Sequence, residues 1–158
     1  MSRFEEDVTT LENALRSFVQ TMKRPQQWTR MTAAMGVVID RSSAFILQTL
    51  ILHEPKELRV QDLAHILGIE SPSITRKTQE LESRGYISRR QDPNDKRAVS
   101  LHVTGSGRKL AAKLWKAQRQ NISDVLKHWP AQDRRQFVDL FARFSNDLVD
   151  EAKFADKN

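Results

Sequence analysis

The chain reads as a mainly α protein with a small β-wing, and three observations predict that class. Apolar residues recur at helical spacing near both ends of the 158 residues. The stretch from Val60 to Gly107 reads as helix, tight turn, helix and a two-stranded hairpin. With 39% apolar residues and no cysteine, a modest core must form without covalent cross-links. The expected organisation is one domain over 1–158. Residues 41–107 form a compact lobe, and 1–40 and 108–158 form helical flanks.

In the first flank, Phe4, Val8, Leu11, Leu15, Phe18 and Met22 advance by alternating steps of four and three. That is a narrow apolar seam on one long helix, which a single helix cannot bury by itself. Pro25 interrupts it. The following segment, Gln26 to His53, is rich in Met, Trp and Phe, with Asp40 and Arg41 as its central charges. Asp40 followed by two serines is placed to cap a helix carrying Phe45, Ile46, Leu50 and Ile51.

In VQDLAHILG, Val60, Leu63, Ala64 and Leu67 share one side, and Gly68 is placed to end the helix in a left-handed turn. After Ile69 and Glu70, Ser71 offers an N-cap hydroxyl and Pro72 occupies a first helical position, so a second helix should run from Pro72 to about Arg84. Burying Ile74, Thr78 and Leu81 leaves Ser73, Arg76 and Gln79 on the far side, with Thr75 and Lys77 on the flanks. Gly85 closes this helix. YISRRQD and AVSLHVT then alternate around a loop containing Pro93, Asn94 and Asp95, with Ile87, Val99, Leu101 and Val103 facing inward. A helix from near Thr104 carries Leu110, Leu114, Ala117, Ile122, Val125, Leu126 and Trp129 and stops at Pro130. A last helix carries Phe137, Leu140, Phe141, Phe144 and Leu148.

A short polar helix face beside a cationic hairpin suits a duplex DNA partner. Small hydroxyls allow close approach to phosphates, and Arg76 and Gln79 have the two-pronged geometry that reads guanine and adenine edges. Ser71, Arg89, Arg90 and Lys96 are candidate phosphate contacts, and Arg97 suits a narrow minor groove. Asp95 is out of place on such a surface unless it fixes the orientation of Arg97 or Arg89. The net charge of +6 fits a polyanion. From Lys96 to Ser123 there are seven Lys or Arg and no Asp or Glu, so the positive field extends from the hairpin along the next helix.

The run Ser73-Ile74-x-Arg76, Leu81-Glu82, Gly85-Tyr86-Ile87, Asp95-Lys96-Arg97, Thr104 and Gly107, at these fixed spacings, resembles the winged helix of the MarR family of bacterial transcription regulators. The resemblance implies a winged helix-turn-helix flanked by N- and C-terminal dimerisation helices. It further implies a homodimer on a palindromic, inverted-repeat operator in double-stranded DNA, usually acting as a repressor and often released by a small aromatic or phenolic ligand. One departure is visible: Lys77 and Thr78 are more polar than the apolar residue expected near the middle of the recognition helix. In the resembled family the effector cleft lies where the dimer helices meet the DNA-binding lobe, which makes Trp28, Met35, Arg41, Phe45 and Trp115 candidates by location. A cationic Arg41 among aromatic residues would suit a carboxylate or phenolate.

Other classes find less support. His53, His65, His102 and His128 lack metal-ligand spacing, no glycine-rich phosphate loop is present, and Asp92 and Asp95 sit on a hairpin tip, a poor place for a rigid acid–base pair. No enzyme, cofactor or metal is therefore expected. The absence of cysteine removes thiol chemistry. No apolar run is long enough to cross a membrane and MSRFEEDVTT lacks a secretory pattern, so a cytoplasmic protein without a membrane partner is expected. The alternative left open by composition is a winged-helix protein- or RNA-contact module without operator specificity.

Overall fold

The computed structural model describes residues 2–91 and 99–155, with side chains as far as residue 151. The elements in order are α1 (Arg3–Met22), α2 (Pro25–Ala34), α3 (Arg41–Leu52), α4 (Val60–Leu67), α5 (Ser71–Ser83), β1 (Ile87–Gln91), β2 (Val99–Val103), α6 (Gly105–Leu126) and α7 (Ala131–Ala155). The chain divides into two compact units, Met1–Lys116 and Ala117–Asn158. None of the helices among the described residues is long and apolar enough to cross a membrane.

The core lies in the first unit. Ile46 and Leu47 of α3, Leu63 of α4, Ile74 and Leu81 of α5, Ile87 of β1 and Leu114 of α6 are fully buried together with Leu58, which precedes α4. α3 is the most enclosed element, buried at Ser43, Ala44 and continuously from Ile46 to Leu50. Its start is fixed as expected: the Asp40 carboxylate accepts from the Ser43 amide at 3.0 Å and the Ser43 hydroxyl at 2.7 Å, satisfying a first-turn donor. Gly68 ends α4 with φ 60°, a left-handed residue that only glycine adopts without strain.

β1 and β2 pair antiparallel from Ile87↔Val103 to Gln91↔Val99. Ile87, Leu101 and Val103 turn inward as the alternation predicts. Ser100 is also buried, because its hydroxyl reaches the Arg90 carbonyl at 3.3 Å and the His102 ring at 2.9 Å. A further contact was invisible in the alternation: the Leu101 amide donates to the Leu58 carbonyl at 2.9 Å, so the α3–α4 connection adds an isolated bridge along β2.

Two helix boundaries differ from expectation. α5 begins at Ser71, with Glu70 as its cap residue. The Glu70 carbonyl already accepts from the Ser73 and Ile74 amides, so Ser71 is the first helical residue rather than the N-cap. α6 ends at Leu126 rather than running to Trp129, which follows in a turn where its amide donates to the Leu126 carbonyl. Both shifts are of a turn or less and leave the packing faces unchanged.

α1 is a single helix opened by a capping box between Ser2 and Glu5. None of its residues is buried. The expected seam stands open within one chain, with Phe4 75% and Phe18 56% exposed. In the second unit, α7 leaves Phe137, Leu140, Phe141 and Leu148 exposed. Its Phe137 ring packs 5.2 Å from Trp129 and 5.5 Å from Phe141.

Candidate nucleic-acid interface

Burial of Ile74, Thr78 and Leu81 orients α5. Arg76 and Gln79 are consequently exposed, and neither side chain has a protein partner among the described residues. Ser73 and Thr75 are half-buried beside them. The Thr75 hydroxyl is occupied in donating to the Ser71 carbonyl at 2.9 Å. Ser71, at the helix start, is exposed, where the helix dipole favours an anion.

The two polar residues that depart from the family pattern have local partners. Thr78 is fully buried, donating to the Thr75 carbonyl at 2.9 Å and accepting from Arg89 at 3.0 Å. Lys77 turns toward α3, its ammonium 2.8 Å from the Asp40 carboxylate. Burial alone would push the Asp40 carboxyl up, but hydrogen bonds from Lys77 and Ser43, with the charge of Lys77, outweigh it and hold the group below its ordinary value.

Arg89 points back into the lobe. Its Nε lies 2.9 Å from Glu82 and it also donates to Thr78, so strand β1 is tied to the second half of α5. Glu82, five residues before the start of β1, restrains Arg89, a pairing hidden in sequence because the two come together only when the strand folds back. Arg90 is exposed and its side chain has no partner among the described residues. Asp95, Lys96 and Arg97, with Asp92, lie outside the described residues.

The residues expected near an effector are partly brought together. The Trp28 indole donates to the Ile39 carbonyl at 2.7 Å, and the Arg41 guanidinium sits 5.4 Å from the centre of the Trp28 ring, a cation–π contact. Met35 and Trp115 pack half-buried against the core, whereas Phe45 is exposed. A cavity of about 230 Å³ lies elsewhere, lined by residues that include Leu50, Glu57, Leu101 and His102 and by none of those five. His102 meets both Ser100 and, at 3.4 Å, Glu57 through the same ring nitrogen. That arrangement is a local clamp and cannot pass a proton from one ring nitrogen to the other. Among the described residues no three potential metal ligands cluster.

Residues 39–99, spanning α3 to the start of β2, match the model of the MarR family. The winged helix of this chain is similar to the MarR family over that segment. Its segment is similar to YdgJ of Bacillus subtilis, an uncharacterized HTH-type transcriptional regulator, with 32% identity over 102 residues. That alignment covers 65% of this chain and 62% of YdgJ, so the chain spans less than two thirds of that relative's length. The fold is that of solved MarR structures. A MarR family protein from Bacillus stearothermophilus superposes with a TM-score of 0.78 at 19% identity, covering 94% of this chain and 99% of that one. A mutant of MepR from S. aureus, solved bound to an oligodeoxyribonucleotide, gives a TM-score of 0.60 at 19% identity, covering 87% of this chain and 97% of that one. A two-stranded wing following a helix-turn-helix in an otherwise helical chain is thus the MarR architecture.

Proposed function

We propose that this protein is a DNA-binding transcriptional regulator that acts as a homodimer on an inverted-repeat operator, as a repressor released by a small aromatic acid or phenol. The observation that carries the reading is the outward face of α5. Arg76 and Gln79 stand exposed, without a side-chain partner among the described residues, on a helix whose opposite side is locked into the core. A forked guanidinium and a carboxamide on a rigid helix are the groups that form paired hydrogen bonds to guanine and adenine in the major groove. Ser71 and Ser73 place hydroxyls near the flanking phosphates, and Arg90 with Lys96 extends the phosphate grip along the wing. Arg97 enters the adjacent minor groove.

Two copies related by a two-fold axis present two such helices, which makes the half-sites inverted repeats about one helical turn apart. The open apolar seam on α1 supports pairing with a second copy. The Arg41–Trp28 contact supports an aromatic anion as effector, since both a cation and a ring face are in place.

Selection of bound duplexes from a random pool, followed by titration of the recovered sequence at several salt concentrations, tests the reading. An inverted repeat preferred over random duplex by roughly a thousandfold, with affinity falling steeply as salt rises, is expected. Recovery of no symmetric motif, or tighter capture of single-stranded RNA or of acidic protein than of any duplex, would overturn it.

A further inference from the structure

Three consecutive residues before α3 each accept a hydrogen bond from a different side chain. The Val38 carbonyl accepts from Arg84, the Ile39 carbonyl from the Trp28 indole at 2.7 Å, and the Asp40 carboxylate from Lys77 at 2.8 Å. Two of these donors belong to α5 and its cap, and the third belongs to α2. We infer that residues 38–40 form a strap that sets the tilt of the recognition helix, and that Lys77 is a positioning residue acting through the strap rather than a DNA contact. The inference rests on the DNA-binding reading above and concerns how that site is held.

Lys77, Leu81 and Arg84 fall at i, i+4 and i+7 along one stripe of α5. Lys77 and Arg84 therefore grip the strap roughly 10 Å apart along the helix, on either side of the fully buried Leu81. Two polar anchors separated by two turns resist tilting, which a single apolar contact between them permits. The side chain of Lys77 is only 20% exposed. Gln79 lies about 200° and Arg76 about 100° around the helix from it, so the strap restrains α5 from a side the bases do not occupy. The far end of the strap is equally fixed. Asp40 is pinned to the first turn of α3 by both bonds to Ser43, and Ile39 is pinned to α2 by Trp28, the ring over which Arg41 sits. The contacts are continuous from Trp28 through Ile39 and Asp40 to Lys77, so the ring that supports the proposed effector contact is joined to the helix that faces DNA.

The test uses the full chain with Asp40→Asn, which keeps a capping side chain and removes its charge, and Lys77→Met, which keeps length and removes the ammonium. Folding of each is checked by circular dichroism and melting. Each variant should lose about tenfold in affinity for the selected operator, with the salt slope unchanged and random-duplex binding unaltered. The double variant should be no worse than either single one. Tighter binding by Asp40→Asn, or a Lys77→Met loss shared by all sequences with a salt slope flatter by about one, would make Lys77 a phosphate contact and overturn the strap. Without DNA, both variants should speed amide exchange in the Ser73–Arg84 segment. Unchanged exchange overturns the strap whatever the outcome for DNA, whereas wild-type protein that discriminates no duplex defeats the DNA reading alone.

Discussion

At the scale of single residues, α5 separates side chains that face outward from side chains that hold the helix. Arg76 is exposed and has no side-chain partner among the described residues, so truncating it removes none of their contacts. Arg76→Ala should cost about 1–3 kcal/mol of operator binding and relax preference at one base position, measured by anisotropy on single-base operator variants. Equal loss on operator and random duplex would remove its reading role. Arg90→Ala should instead weaken every duplex alike and flatten the salt slope by about one.

Asp40 is one of the residues through which stability depends on pH. Its carboxyl is held below the ordinary value of 3.8. A depressed acid stabilises the fold at pH above its unfolded value, and the contribution disappears as pH falls through the lower folded value. Asp40→Ala should therefore melt lower than wild type at neutral pH, through loss of a cap worth about 0.5–2 kcal/mol together with the Lys77 pair. The gap should narrow as pH drops below 3.8. A gap that stays constant down to acid unfolding would mean that the carboxylate charge is immaterial.

At the scale of elements, the junction of wing and α6 turns on Thr104 and Gly107. The Thr104 hydroxyl accepts from the Gly107 amide at 3.1 Å, capping α6, and it also reaches the carbonyls of Gly85 and Tyr86. The first turn of α6 thereby lies so close to the α5–β1 connection and the end of β2 that a Cβ on residue 107 would stand 2.1 Å from the Tyr86 carbonyl oxygen and 2.8 Å from Val103. Gly107→Ala should destabilise the fold by about 1–3 kcal/mol, seen as a lower denaturation midpoint. A neutral result would require the backbone at Tyr86 to yield freely. The spacing of Thr104 and Gly107 in the sequence pattern is thus explained by packing as well as by resemblance. The helix-turn-helix was equally legible, because Gly68, Pro72 and the apolar positions of α4 and α5 all carry local signals. The start of α5 was displaced by one residue because the Glu70 carbonyl, rather than the Ser71 side chain, begins the helical hydrogen bonding.

At the scale of the whole molecule, a chain that leaves Phe4, Val8, Leu11, Phe18 and Met22 open along one helix carries an apolar stripe unlike the scattered exposure of a finished monomer. Under the proposed function a second copy covers it. Phe18→Glu should shift the sedimentation profile toward monomer and reduce operator affinity, while leaving helix content unchanged. A profile identical to that of wild type would place the dimer contact elsewhere.

The sequence by itself determined the elements and their faces. Helical and alternating periodicities, caps, proline and glycine act over a few residues, and the spacing from Ser73 to Gly107 carried the family resemblance. It also exposed Arg76 and Gln79, because burying Ile74, Thr78 and Leu81 leaves them no other direction. Only the tertiary structure decided which cations remain free. Lys77 on the flank of the helix and Arg89 on the incoming strand read as cations turned to DNA, yet Asp40 and Glu82 claim them from other elements. Periodicity reports which way a side chain leaves its own helix or strand, whereas an ion pair depends on what another segment brings within 3 Å of it, and that is fixed only when the lobe closes.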